Sequence, residues 1–260
     1  MEKKFASICA VAVVLLTSFV ARAATISYGN GPVIPPGLQF VNIQESSSTD
    51  AVPLFGAPAS YFPVGIDFNP VSFGASGTAG AGDFTDGQLN FGANGTFTPS
   101  VKVAINQISV AESGDFTLFG TGTNATQVAA GASIHVTVTE IDGVALTLPI
   151  VLTPVSQSVP FNLIANPGIL QPWSLSATLN IAAQLTALAV PYTYGATKID
   201  VVIDDNLLAL SQANTGAFIA KKDFKINTVN NVVIVPEPVQ MSVLALGAAG
   251  FLVRRRRERV

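Results

Sequence analysis

Residues 24–235 of this 260-residue chain contain no cysteine and no arginine, and the whole sequence has one histidine, His135. Each absence excludes a class of chemistry. Without cysteine this stretch can form neither disulfides nor thiolate metal sites. A lone histidine rules out a two-histidine metal centre. Five lysines (Lys102, Lys198, Lys221, Lys222 and Lys225) face thirteen acids, so the stretch carries −8 although the full chain sums to −3. Such a surface has no electrostatic attraction for nucleic acid or anionic lipid. A Ser-His-Asp triad would have to recruit His135, and no G-x-S-x-G elbow exists. The nearest approach is Phe73-Gly74-Ala75-Ser76-Gly77-Thr78, where Thr78 stands in place of the second glycine. No phosphate-binding G-x-x-x-x-G-K-[ST] loop is present.

Charge collects instead at the two ends. Lys3 and Lys4 precede an apolar run from Phe5 to Val20, followed by Ala21-Arg22-Ala23. A basic start, an apolar centre and a small-x-small site are the parts of a secretory signal peptide, with cleavage expected after Ala23. The run is shorter than the roughly 20 residues a spanning helix needs. Cys9 lies inside it without lipobox-like neighbours and reads as filler. An exported domain without disulfides must rely on its hydrophobic core, and a chain of about 210 residues is ample for one.

That core reads as all-β. In SIHVTVTEIDGVALTLPIVL, Ile134, Val136 and Val138 fall on one face, with His135, Thr137 and Thr139 on the other. Asp142-Gly143 offers the positive-φ geometry of a type I′ turn before Val144, Leu146 and Leu148 alternate back. Similar period-2 stretches cover 101–110, 173–185, 198–203 and 223–235, with turn-rich clusters at Gly74 to Gly87 and Ala165 to Pro172. Residues 179–190 fit either a short helix or another strand. Many short strands without βαβ alternation predict an antiparallel sandwich or jelly roll over 24–234. The segments 82–96 and 114–126 share Gly-Asp-Phe-Thr and a following Phe-Gly, which reads as two similar strand-entry turns rather than a solenoid.

Candidate site residues are sparse. Asp83, Asp86 and the Asp204-Asp205-Asn206 corner are oxygen ligands for a hard cation such as calcium, although none has the D-x-[DN]-x-[DN]-G spacing. Asp204 and Asp205 would point to opposite faces of a strand, which argues against their acting as the paired acids of a glycosidase. No catalytic residue and no cofactor is expected. Tyr61, Phe62, Trp173, Tyr192 and Tyr194 are candidate glycan platforms, with core packing the competing role. A single Thr-x-Thr at 137–139 is too little for an ice-binding array.

The C-terminal end, 235–260, is an address. Residues 239–253 are apolar apart from Gln240 and Ser242, long enough for roughly 22 Å of helix against a hydrocarbon core of roughly 30 Å. Arg254, Arg255, Arg256 and Arg257 extend that span into the head groups and hold the end in the cytoplasm. Pro236-Glu237-Pro238 just outside it resists helix and stays extended. This arrangement of motif, short transmembrane helix and arginines resembles the PEP-CTERM sorting signal of Gram-negative bacteria, a kind of tail also known as the ice-binding-protein C-terminal domain. Gram-positive sortase tails share the layout, but L-P-x-T-G is absent. The resemblance covers the tail alone. The signal peptide implies passage through the Sec translocon and, with the apolar tail, a precursor anchored in the inner membrane; the resemblance implies processing by an exosortase and residence at the cell surface or in an exopolysaccharide biofilm matrix. The expectation for the body is therefore a noncatalytic surface or matrix domain, polysaccharide contact included. The alternatives are a secreted carbohydrate-active hydrolase or a calcium-dependent glycan-binding module.

Overall fold

The alternating segments fold into fourteen strands and one helix in the computed structural model, which describes residues 24–235. The signal-peptide residues Lys3, Lys4, Ala21 and Ala23 lie outside the described residues. So do Pro236, Glu237, Pro238, the apolar tail and Arg254 to Arg257. Among the described residues no helix is long and apolar enough to cross a membrane.

In chain order the elements are β1 (Ala24–Gly29), β2 (Val33–Ile34), β3 (Leu38–Ser47), β4 (Pro58–Phe62), β5 (Gly65–Phe68), β6 (Gly74–Thr78) and β7 (Gly82–Gly95). They continue with β8 (Val101–Gly120), β9 (Gln127–Ile141), β10 (Val144–Val151), β11 (Val155–Asn162), β12 (Gly168–Asn180), α1 (Ile181–Ala187), β13 (Ala196–Leu210) and β14 (Thr215–Ile234). The first sheet runs β1-β3-β7-β13-β9-β10, with β2 beside β3 and β11 sharing the β9 edge with β10. The second runs β12-β8-β14-β5-β4, with β6 also on β14. All pairings are antiparallel.

Period 2 explains why the two sheets bury one face each against the other. Ile134, Val136 and Val138 of β9 and Ile199, Val201 and Ile203 of β13 all point into one core. From the second sheet come Ile105, Ile108 and Val110 of β8 and Phe224 and Ile226 of β14. Outward positions of the same strands include many polar residues, His135 among them, with Val202 of β13 and Phe218 of β14 as apolar exceptions. The Asp142-Gly143 turn has φ of 50° and 77°, as a type I′ turn requires.

Several expectations need correction. The Gly74–Gly87 stretch is not a loop. It contains β6 and the start of β7, and its short turn carries the chain from the second sheet to the first. Asp204-Asp205-Asn206 is no corner, because the alternation of 198–203 simply continues to Leu210. The second Gly-Asp-Phe-Thr copy, at 114–117, is not a strand entry and lies well inside β8. β10 returns only part of its apolar side to the core: Leu146 and Ile150 pack against it, but the strand is an irregularly paired edge and Leu148 is 82% exposed. In 173–185 the strand stops at Asn180, whose side chain accepts the Ala183 N–H (2.8 Å) and caps α1. The helix then buries Ile181 and Leu185, four residues apart on one face.

Candidate functional site

The four candidate calcium ligands are held apart by separate structural duties. Asp86 Oδ1 accepts the N–H groups of Ser48 (2.9 Å) and Thr49 (3.0 Å) and the hydroxyls of Ser47 and Thr49. Its Oδ2 takes the Ser48 hydroxyl at 2.7 Å. Partial burial works against this carboxylate, but the Ser48 and Thr49 donors outweigh it and bring its pKa down to about 2. Asp83 instead accepts the Ser76 N–H of β6 at 2.8 Å. Asp204 faces outward on β13, and Asp205 faces inward. Among the described residues no three metal-ligating side chains converge.

Convergence does occur at Asp205, but around a lysine and not as the cation site expected of it. Asp205 of β13, Glu112 of β8 and Lys221 of β14 meet between the sheets, and none of the three side chains has any exposed surface. Lys221 Nζ contacts both Asp205 Oδ2 and Glu112 Oε2 and donates a hydrogen bond to the former. Local structure explains the placement. β6 occupies the β14 edge over Gly216–Ala220 and β5 occupies it over Phe224–Asn227. A β-bulge between Lys221 and Asp223 fills the gap, turning Lys222 outward while Lys221 stays inward. The backbone N–H of Lys221 donates to the Phe73 carbonyl at 2.9 Å.

Aromatic rings close the cluster. Lys221 Nζ lies 4.5 Å from the Phe73 centroid, 5.0 Å from Phe224 and 5.6 Å from Phe55, within cation–π range. Phe55 packs edge-on against Phe73 and Phe224, with centroids 5.1 and 4.9 Å away. Gly87, opposite Asp205 on β7, makes the room: a Cβ there would stand 2.6 Å from the Phe73 ring. Desolvation, followed by the neighbouring Glu112 charge, pushes the Asp205 carboxyl well above its ordinary range, and Lys221 only partly opposes this. Both causes favour the protonated form of Asp205, which lessens the charge held between the sheets.

The outer face of the first sheet carries a lateral polar row. Register aligns Ser46, Gln88, Asp204, Ser133 and Ser156 across β3, β7, β13, β9 and β11. Gln88 donates to Asp204 Oδ1 (2.7 Å), and the Ser133 and Ser156 hydroxyls are 2.7 Å apart. His135 lies on this face as expected, its Nε2 3.2 Å from Asp204 Oδ2.

The candidate aromatics do not form one platform. Trp173 is buried and donates from its indole N–H to the Ala220 carbonyl at 3.1 Å, so core packing claims it. Tyr61 packs against the core and lies over Gly31, and Tyr192 reaches the Ala182 carbonyl and Thr186. Phe62 is half-buried beside Gly65. Tyr194 stacks edge-on with Phe97 under Lys102.

Glu112 and Lys221 were missed, and Asp205 was read as a cation ligand although a signal for its burial existed. Carrying the Ile199, Val201, Ile203 alternation two residues further puts Asp205 in the core before Leu207.

No family model and no curated protein matches this chain. Solved structures that align with it include TmCBM61 in complex with β-1,4-galactotriose, at 10% identity over 81% of this chain and 90% of that one, TM-score 0.19. The family 11 xylanase from Neocallimastix patriciarum aligns at 9% identity over 82% and 100% of the two chains, TM-score 0.23. Endoglucanase 3 of Trichoderma harzianum, from family GH12, aligns at 10% identity over 80% and 99%, TM-score 0.22. Likenesses this low assign neither an activity nor a ligand.

Proposed function

We propose that this chain is an exported, noncatalytic protein of the bacterial cell surface or biofilm matrix, led out by its signal peptide and sorted through Pro236-Glu237-Pro238. The observation that carries the noncatalytic reading is the sealing of Glu112 and Asp205. Glycosidase chemistry needs two carboxyls flanking a bond that substrate can bring to them. Here the two inward acids that meet have no exposed side-chain surface and are already engaged by Lys221. The −8 charge of residues 24–235 and their lack of cysteine suit a soluble module outside the cell that needs no oxidative partner.

Contact with polysaccharide, the second reading, would fall to the outer row around Asp204 and His135, which offers hydrogen-bonding groups on a sheet face. Mature protein purified from an exosortase-bearing host separates the readings. Incubated with xylan, β-glucan and β-1,4-galactan, it should release no reducing ends above those of the Glu112→Gln variant. Turnover that Glu112→Gln abolishes would establish a hydrolase and overturn the proposal. Retention on immobilised exopolysaccharide that is lost in His135→Ala would support glycan contact without catalysis.

A further inference from the structure

The geometry points to an intramolecular isopeptide bond between Lys221 Nζ and the side-chain carbonyl carbon of Asp205, formed with Glu112 as the proton-transfer group. Three observations combine. Nucleophile, electrophile and proton carrier are in mutual reach, on three strands from both sheets. None of the three side chains has exposed surface, and the rings of Phe55, Phe73 and Phe224 stand around the Lys221 amine. The set is also incompletely satisfied as an ion cluster, since Glu112 Oε1 and Asp205 Oδ1 have neither an ion-pair contact nor a hydrogen-bond partner. Buried polar atoms are normally partnered, so orphaned oxygens around a lysine require an explanation.

Condensation supplies one. Proton transfer from Lys221 to Glu112 turns an ammonium–carboxylate pair into a free amine and a neutral acid, without changing the net charge of the core. The amine nitrogen then attacks Cγ of the protonated Asp205, forming the C–N bond. Glu112 gives its proton to the departing Asp205 hydroxyl, the C–O bond breaks, and one water leaves. The nitrogen returns a proton to Glu112, which ends as it was before the attack. One amine and one carboxylic acid thus become one amide and one water, with no redox partner and no outside reactant. The new carbonyl can accept from protonated Glu112, so the orphaned oxygens gain partners. Prior positioning replaces the activation that amide formation ordinarily requires, and exclusion of water disfavours hydrolysis of the product. A pocket of about 380 Å³ lined by Phe73, Lys221 and Lys222 lies beside the cluster.

Asp205, not Glu112, is the electrophile. It is the acid that Lys221 addresses with a hydrogen bond, and it is on the opposite sheet. The bond would tie β13 to β14 across the sandwich, a covalent staple in a domain without cysteine.

Mass spectrometry of the full chain purified under denaturing conditions tests this. Intact mass should fall below that of the processed sequence by one water. Lys221, acylated, should resist trypsin, so that cleavage after Lys198 and Lys222 yields Ile199–Lys222 lighter by one water, with fragmentation placing the link between Asp205 and Lys221. Release of unmodified Ile199–Lys221 at full mass would overturn the bond, whatever any variant does. Attachment of Val103–Lys198, the tryptic piece holding Glu112, to Lys221 would overturn the choice of Asp205. Glu112→Gln, checked for retained β-sheet circular dichroism, should leave most molecules at full mass. Complete water loss in that variant would refute the role of Glu112.

Discussion

Replacing Asp86 with asparagine should destabilise the domain at neutral pH and have almost no effect in strong acid. The carboxylate gathers five donors from Ser47, Ser48 and Thr49, and asparagine keeps the shape while losing the charge and one acceptor. The gap between the ordinary value of 3.8 and about 2 in the fold, at about 1.4 kcal/mol per pH unit, corresponds to about 2.5 kcal/mol. Solvent screening of a partly exposed group reduces this to about 1–2 kcal/mol. Because the folded-state pKa is depressed, the contribution is complete above the unfolded value and disappears as pH falls through about 2. Urea unfolding of wild type and Asp86→Asn, from neutral pH down to about pH 1.5, measures it. Equal stabilities at neutral pH, or a difference that persists undiminished below about pH 2, would refute the reasoning.

Two further outcomes follow from the same geometry. Gly87→Val would drive a branched side chain into Phe73 and Phe55 and should cost about 1–3 kcal/mol by overpacking, read as a lower urea midpoint; an unchanged midpoint would mean the rings are not held as described. Calcium should leave thermal stability unchanged, since Asp83 and Asp86 are already engaged. A site at 100 times its Kd would add about 2.7 kcal/mol, and such a gain, abolished by Asp86→Ala, would contradict this account.

The β9–β10 hairpin was legible because strict alternation meets a residue pair that tolerates positive φ, and Asp142 is further held there by the N–H groups of Thr193, Tyr194 and Gly195. Burial raises its carboxyl and these donors, with Lys102, bring it below the ordinary value. Strand lengths were less legible. A charged residue such as Asp205 or Glu112 at an inward position resembles the end of a strand, because only the partner across the sandwich makes its burial tolerable. That partner, Lys221, is 16 residues from one acid and more than a hundred from the other, and nothing in the local pattern of β14 singles it out. β10 misled in the opposite direction. Its apolar residues alternate, yet its pairing with β9 breaks between Ala145 and Ile150, which leaves Leu148 outside the core.

The central claim, a surface protein delivered and sorted by its two ends, is tested most directly by epitope tags on either side of Pro236-Glu237-Pro238 in a host with exosortase. The account predicts a mature N-terminus at Ala24, the inner tag on protein at the cell surface or in the matrix, and loss of the outer tag. Replacing the three residues with alanines should leave an anchored precursor carrying both tags. Wild-type protein that keeps its outer tag, or that retains Met1 in the envelope, would contradict it.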